Sequence, residues 1–443
     1  MRSSFLRLAR NALGIAGLMF SSFVFAAGSA ASTAAEVTLT PIQTLLIMLC
    51  AALVFFMQAG FALLESGLSR AKNAINVLMK NYLDMCFGAV AFFAIGYGLM
   101  YGTNPTGWFG TDGFLPNGAS LSTYTNVLYA MMFAATAATI VSGAIAERTH
   151  FRAYIWGSII ITAIIYPIFG SWVWGPGGWL AKQGFVDFAG STVVHAVGGW
   201  CALAALIVVK PRLGRFAPNG EVRDIPGHNL SAAALGALIL WLGWFGFNGG
   251  SAVSAGLPIE SIGKIALNTH LGGAAGALGA LLAMRLFGSH TLLTVTLNGS
   301  VAGLVAITAG CHVMEPMFAI ITGFIAGFLT SVAEAFLLQI RLDDVVGAVA
   351  VHLVGGIWGT LAVGLFTHGR YFDLQLIIAQ LTGIVAAGLW TFPLAFIMYK
   401  ALDTLIGLRA TAQQEQRGLD FSEHYEAGYP EFQRDIVHRG RDS

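Results

Sequence analysis

The sequence predicts an all-α membrane protein, with eleven transmembrane helices in an inverted five-plus-five repeat. Of its 443 residues, 56% are hydrophobic and only 10% are charged, whereas soluble domains carry about 25% charged residues. The apolar residues fall into segments long enough to cross a hydrocarbon layer about 30 Å thick. A stretch of fourteen residues also recurs 157 residues further along the chain.

Residues 1–30 are predicted to be a secretory signal. Three arginines precede an apolar run over 12–25, and small residues follow it, which is the order typical of a signal peptide. The alternative is an uncleaved first span, but the run is short for a span. We therefore expect a membrane domain over 41–405, followed by a polar tail over 406–443 that is either a cytoplasmic docking or gating segment or a disordered end.

The membrane domain contains eleven apolar segments of spanning length. They are predicted at 41–66, 76–101, 124–147, 151–174, 188–209, 229–248, 260–284, 291–311, 316–340, 345–367 and 375–404.

The loops between these segments predict the orientation of the chain. One set of loops carries eleven Lys and Arg residues and the other carries only Lys182 and Arg370. Cytoplasmic loops are enriched in positive charge, so the first set is expected in the cytoplasm. The N-terminus would then lie outside an inner (plasma) membrane and the C-terminus inside. The eleven residues are Arg70, Lys72, Arg148, Arg152, Lys210, Arg212, Arg215, Arg223, Arg285, Arg341 and Arg409.

The recurring stretch is 187–200, DFAGSTVVHAVGGW, and its second copy is 344–357, DVVGAVAVHLVGGI. Each copy begins with an acid and has a histidine eight residues later, roughly 12 Å along a helix. His195 and His352 are therefore expected near the middle of the membrane, where an ionisable side chain indicates a functional site. With an odd number of spans in each half, the halves are inverted, and the two imidazoles should approach each other.

Two adjacent neutral imidazoles can share a proton, with one ring nitrogen donating and the other accepting. Such a pair suits the passage of a neutral hydrogen-bonding solute or of a proton. A metal site is the alternative, but it would need a third or fourth ligand on the same helical faces, and the sequence offers none. We also find no cofactor fingerprint and no nucleophile–base pair, which argues against an enzyme. The net charge of +1 argues against a nucleic-acid partner.

Aromatic and polar residues mark the predicted external ends of three spans. Trp174 closes the fourth span, Phe247 and Ser251 close the sixth, and Phe133 lies about nine residues into the third. An interfacial aromatic belt is one interpretation; a cation–π site with a hydroxyl acceptor for a small cation is the other. Asp187 is expected mainly to cap the fifth span, and it could also attract a cation.

Other ionisable residues lie in or near the spans. Lys80 and Asp84 are four residues apart on the second span and are predicted to pair with each other. Glu65, Glu334, Lys264 and His270 are interpreted as packing or interface residues.

Several stretches together resemble the ammonium transporter (Amt/Rhesus) family, and DFAGSTVVH is the most specific of them. The resemblance extends from about residue 41 into the tail. The stretches are SRAKNAINVLMKN (69–81), GAIAERTHF (143–151), DFAGSTVVH (187–195), WFGFNGGS (244–251), DDVVGAVAVH (343–352) and GLRATAQQEQRGLDFSEH (407–424).

The resemblance implies a homotrimer with one pore per subunit and roles for individual residues. Trp174, Phe133 and Ser251 match the family's external ammonium site, and Phe133 with Phe247 matches its phenylalanine gate. His195 and His352 match the twin pore histidines, and Asp187 matches an aspartate beside the vestibule. The tail over 409–424 matches a segment that docks a PII signalling protein.

The chain departs from the family pattern at three positions. Val345 stands where a proline is usual, Leu353 where a small residue follows the second histidine, and Tyr425 where a glycine follows the tail histidine. The sequence thus predicts an ammonium transporter that recruits and deprotonates NH4+ and conducts NH3 past the histidines. The alternative is an ammonium sensor that transports little and signals through its tail.

Overall fold

A computed structural model describes residues 39–431, so the predicted signal over 1–30 lies outside the described residues. Within 39–431 the chain forms helices and no β-strand, which confirms the predicted fold class. Ten helices are long and apolar enough to cross a membrane, and an eleventh apolar helix, α8, is shorter. They are α1 (Pro41–Leu68), α2 (Ala71–Tyr101), α3 (Leu121–Ala144), α4 (Phe151–Val173), α5 (Ser191–Val209), α6 (Leu230–Ser254), α7 (Ser261–Leu286), α8 (Leu293–Ile307), α9 (Pro316–Gln339), α10 (Val349–Phe366) and α11 (Leu374–Ile406).

Polar residues set where several helices begin. At α1, Thr40 accepts a hydrogen bond from the Gln43 N–H at 3.3 Å, and the Gln43 side chain accepts one from the Thr40 N–H at 2.9 Å. This reciprocal capping box satisfies two donors that a helix start leaves open. Ser120, Asn229 and Asp373 cap α3, α6 and α11 with one side-chain acceptor each.

Burial separates central helices from peripheral ones. In the most apolar stretch of α3, 89% of the residues are buried, against 28% in α11. Leu389 and Leu405 of α11 are exposed apolar side chains, and such a face suits contact with lipid. The helices α3, α5 and α10 therefore form the inside of the bundle, where the candidate site lies.

The two copies of the repeated stretch fold alike. Both α5 and α10 begin with π-helical turns, Ser191–Ala196 and Val349–Val354. Each is preceded by a glycine with positive φ, Gly190 at +117° and Gly347 at +79°, a region that side chains with a Cβ rarely adopt. A Cβ at Gly190 would also come within 2.6 Å of Val194, and one at Gly347 within 2.5 Å of the Glu334 and Asn298 side chains.

One end of the bundle, here called the basic end, comprises the loops 69–73, 145–150, 210–229 and 340–345. A buried ionic network joins these loops. Arg212 donates to Asp343 from Nε at 2.8 Å and from Nη2 at 2.9 Å, and to Glu147 from Nη1 at 2.9 Å. Glu147 also pairs with Arg70. Burial alone would raise the pKa of the Asp343 carboxyl, but Arg212 and Arg148 hold it well below its usual value.

The described part of the tail packs against this basic end. The short helix α12 (Ala412–Arg417) follows α11, and Lys72 donates to the carbonyl oxygens of Glu415 and Gln416 at 2.8 and 2.7 Å. Asp420 accepts the Asn76 N–H at 2.8 Å, and burial raises the pKa of its carboxyl to about 6. Within the described residues, the tail therefore packs against the basic end as far as Tyr429, whose hydroxyl lies 2.9 Å from His228 Nε2.

We predict that Asp343→Asn lowers the melting temperature of the purified protein. Removing one partner of a buried ion pair costs about 3–5 kcal/mol, and the bond from Arg212 to Glu147 will retain part of that. Because the folded pKa is lowered, the contribution of the carboxylate is complete above about pH 4 and decreases only in stronger acid. The measurement is a thermal melt in detergent at pH 7 and at decreasing pH.

Asp224→Asn is the control for this substitution. Its side chain is 99% exposed and lies 3.6 Å from Arg215, so its loss should leave the melting temperature unchanged. Equal melting curves for the two variants at pH 7 would contradict the stabilising role of the network.

Candidate functional site

The structure brings the two predicted histidines together inside the bundle. The Nδ1 atoms of His195 and His352 lie 3.2 Å apart, and the two rings meet edge to edge, with centroids 5.3 Å apart and an angle of 21° between their planes. His195 is 0% exposed and His352 5%. One nitrogen must donate and the other accept at this distance, so two neutral rings would hold opposite tautomers.

Each histidine is positioned by an aspartate at the start of its helix. The Asp187 carboxylate accepts the N–H groups of Gly190 and Ser191 at 2.9 Å, and those of Thr192 and Val193 at 2.8 Å. A helix that starts inside a membrane has no water to bond these donors, and the buried carboxylate replaces it.

The equivalent residue in the second copy, Asp344, accepts from Gly347 at 3.1 Å and from Val349 at 2.7 Å. Both caps hold the π-helical turns that carry the histidines. The geometry of Asp187 is that of the expected cap, while its attraction for a cation stays a prediction.

Aromatic rings pack beside His195 on the side that faces away from the basic end. We call this opposite end of the bundle the aromatic end. Phe133 and Phe247 are stacked with centroids 4.0 Å apart, and the His195 ring lies 5.5 Å from Phe247. Trp174 meets Phe133 edge-on at 6.0 Å, and its Nε1 donates to the Asp187 carbonyl oxygen at 2.7 Å. The predicted external and gate residues are thus one continuous aromatic layer.

Ser251 completes this layer with a hydroxyl group. It donates to the Phe247 carbonyl oxygen at 2.9 Å, which leaves its lone pairs as acceptors. Tyr129, which the sequence analysis did not single out, donates to the same carbonyl at 2.6 Å and lies 3.3 Å from the Ser251 hydroxyl. The sequence could have indicated Tyr129 by its position four residues before Phe133, which places both side chains on the same helical face.

Trp244 is a second residue beside the predicted site that sequence reasoning missed. Its ring is 0% exposed and stacks on His195 with centroids 5.0 Å apart. Its Nε1 donates to the Thr308 hydroxyl at 2.7 Å, and this hydrogen bond fixes the orientation of the indole. The His195 ring therefore packs against the indole and meets the second imidazole at its edge. Its Nε2 is buried without a hydrogen-bond partner in the described chain.

The three departures from the family pattern have distinct structural settings. Leu353 packs on Gly199, where a Cβ would come within 2.7 Å of the leucine Cβ. The Val345 N–H donates to the Ala144 carbonyl oxygen at 3.4 Å, a long bond that a proline could not make. Tyr425 adopts φ +56°, a left-handed conformation that glycine would adopt without strain.

The predicted pairing of Lys80 with Asp84 is wrong. Asp84 accepts instead from the Tyr154 hydroxyl of α4. The Lys80 ammonium has no hydrogen-bond partner among the residues described and lies 5.8 Å above the Tyr154 ring. Neither residue touches the histidine pair. Across residues 39–431, no three His, Cys, Asp or Glu side chains come close enough to hold a metal ion.

A family model described as the Ammonium Transporter Family matches residues 45–429. The chain belongs to the ammonium transporter family. It is 44% identical over 419 residues to ammonium transporter Amt2 of Archaeoglobus fulgidus, covering 88% of this chain and 89% of that protein. It is also 44% identical over 428 residues to a putative ammonium transporter of Synechocystis sp., covering 94% and 96%. Membership of this family places the chain among transporters and not among enzymes.

Solved structures with the ammonium transporter fold match as well. A structure described as a Sensor Amt Protein superposes with a TM-score of 0.83 at 39% identity, covering 86% of this chain and 98% of that one. Candida albicans Mep2 superposes with a TM-score of 0.76 at 28% identity, covering 84% and 87%.

We predict that Asp187→Asn destabilises the protein and disturbs His195. The amide replaces one of the two accepting oxygens with a donor, which leaves buried N–H groups unsatisfied at about 1–3 kcal/mol each. The expected result is a melting temperature several degrees lower. Asp373→Asn is the control, because that more exposed cap accepts one backbone N–H and pairs with the exposed Arg370. Its loss should change the melting temperature less. An equal or smaller decrease for Asp187→Asn would contradict the cap assignment.

Proposed function

We propose that this protein transports ammonium across a cell inner (plasma) membrane, from the aromatic end to the basic end. The observation that carries the proposal is the buried contact of His195 with His352, between the aromatic layer and the basic end. The family supports ammonium as the substrate.

Ammonium would bind first at the aromatic end, beside Trp174 and Ser251. The indole face attracts a cation through its quadrupole, and the Ser251 oxygen accepts an N–H because its own proton is donated to Phe247. Asp187 lies just behind Trp174 and adds negative potential, although its oxygens are occupied by four N–H groups. The Trp174 ring and the Ser251 oxygen would replace part of the hydration shell of NH4+.

Phe133 and Phe247 would then act as the gate. Their rings are stacked at 4.0 Å, which is van der Waals contact and leaves no passage between them. A charged ion would lose its water on passing these rings, a cost of many kcal/mol for an unpaired charge. Ammonium can avoid that cost by giving up a proton, whereas potassium has none to give.

The histidine pair suits ammonia because it presents both kinds of hydrogen-bonding atom. If one Nδ1 donates to the other, one ring has a bare Nε2 and the other an Nε2–H. Ammonia can donate to the first and accept from the second as it passes. A proton can follow through the same nitrogens, and a bare cation finds no set of acceptors there.

We predict that His195→Ala combined with His352→Ala lowers methylammonium uptake by reconstituted vesicles at least tenfold. The reason is that the dry passage loses both hydrogen-bonding partners. His270→Ala is the matched control, since His270 contacts Trp241 and Phe245 on the outer side of the bundle and should leave uptake unchanged. Undiminished uptake by the double variant would contradict the assigned roles.

An ammonium sensor is the second candidate function, and the similarity to a structure described as a Sensor Amt Protein favours it. Leu353 and the altered tail residue Tyr425 are the features of this chain that motivate it. Current recorded on a solid-supported membrane after an ammonium jump separates the two functions. A transporter gives a current well above that of protein-free vesicles, whereas a sensor gives none while ammonium still raises its melting temperature.

Assembly and partners follow from the family resemblance and are proposals too. We propose a homotrimer with one pore per subunit, to be tested by light scattering of the purified protein. A PII signalling protein is the proposed partner of the tail, which lies on the basic end beside Lys72 and Asn76. Co-elution with a PII protein, lost in a variant truncated after residue 411, would support that pairing.

A further inference from the structure

A small cavity lies directly beyond His352, on the side of the basic end. Its volume is about 20 Å³, which is enough for one water-sized molecule and hence for ammonia or ammonium. Most of the wall is apolar, including Phe61, Leu64 and Val301. The polar side chains in the wall are those of His352, Glu65 and Asn298.

Glu65 contributes a buried acid to this cavity. It is 2% exposed, although it lies only four residues before the basic-end loop over 69–73. One carboxyl oxygen accepts the Asn81 side-chain N–H at 2.8 Å, and Thr139 in turn donates to Asn81 at 2.6 Å. Ser142 and the Gly143 backbone also donate toward this carboxyl group. A carboxylate has about four acceptor sites, so one is left for a ligand.

The opposite wall contributes a second acceptor. The Asn298 amide donates to Glu334 at 2.6 Å and to the Val346 carbonyl oxygen at 3.0 Å. Both of its N–H groups are used, so its oxygen is the atom that it can offer to the cavity. The Nε2 atom of His352 is the remaining polar group, because Nδ1 bonds to His195.

We propose that this cavity is an inner ammonium site in which Glu65 returns a proton to ammonia. The proposal rests on the proposed transport function. A proton released from NH4+ at the aromatic end moves through His195 and His352 to the Glu65 carboxylate, and forms the acid. Ammonia that enters the cavity takes that proton, so the O–H bond breaks, an N–H bond forms, and NH4+ and a carboxylate result.

The surroundings of the cavity suit this exchange. No lysine or arginine lines it, so a cation formed there meets only acceptors: the carboxylate, the Asn298 oxygen and a ring nitrogen. The other ionisable groups that face Glu65 are Lys80 and Asp84 from α2, Tyr154 from α4 and His352 from α10. The Lys80 ammonium forms no ion pair in the described chain, so Glu65 is not neutralised by a direct partner.

The test is Glu65→Gln in the full chain, reconstituted for ammonium-jump currents on a solid-supported membrane. Glutamine keeps the acceptor for Asn81 but cannot exchange a proton, so we expect the ammonium current to fall at least tenfold. Glu334→Gln is the matched control, a carboxyl separated from the cavity by Asn298, and should retain the current. Glu65→Asp, which restores an acid, should recover part of it and shift the pH of half-maximal current.

Five outcomes separate the possibilities. An unchanged current in Glu65→Gln overturns the proposal. A loss accompanied by a lower melting temperature, or an equal loss in Glu334→Gln, overturns it as well, because either result indicates a structural role. If Glu65→Gln does not fold, a pH profile of Glu65→Asp identical to that of the unchanged protein overturns it. No current or uptake by the unchanged protein would instead refute the proposed transport function.

Discussion

The bond between His195 and His352 depends on two helices, α5 and α10, whose first residues are buried inside the protein. A helix start exposes unbonded N–H groups, and within a membrane each one left unsatisfied costs several kcal/mol. Asp187 and Asp344 meet that requirement with buried carboxylates. Gly190 and Gly347 provide the backbone turn that carries each aspartate back over its own helix start. The two imidazoles meet only because both helix starts are stabilised in this way.

Packing around the pair then determines which atoms remain available. Trp244 and Phe247 pack against the His195 ring, and His352 meets it edge to edge through the Nδ1 atoms. Rings packed in this way cannot turn freely, because protein interiors are close-packed. The available atoms are therefore the two Nε2 nitrogens, one toward the aromatic layer and one toward the cavity with Glu65. The whole site consists of hydrogen-bonding points separated by apolar walls.

Much of this arrangement could be predicted from the sequence, because the spacing within the repeat determines where each histidine lies along its helix. Equal spacing of an acid and a histidine in two halves with an odd span count indicated the meeting of His195 and His352. The sequence analysis missed Trp244 and Tyr129, because an aromatic residue in a membrane span is usually a packing or interfacial residue. The pairing of Lys80 with Asp84 was wrong because helical spacing permits a contact without requiring it, and Tyr154 arrives from another helix. Glu65 was interpreted as a packing residue because a cavity has no signature in a single chain.

The shared imidazole bond has a consequence for how charge and substrate can be coupled. A proton that enters at one Nε2, crosses between the Nδ1 atoms and leaves at the other Nε2 exchanges the tautomers of the two rings. The pair then presents an N–H where the next proton would have to bind, and the stacked neighbours resist rotation of the rings. An ammonia molecule that takes a proton from the first ring and gives one to the second restores the starting state. In the absence of ammonia, the histidine pair would therefore conduct no continuous flow of protons.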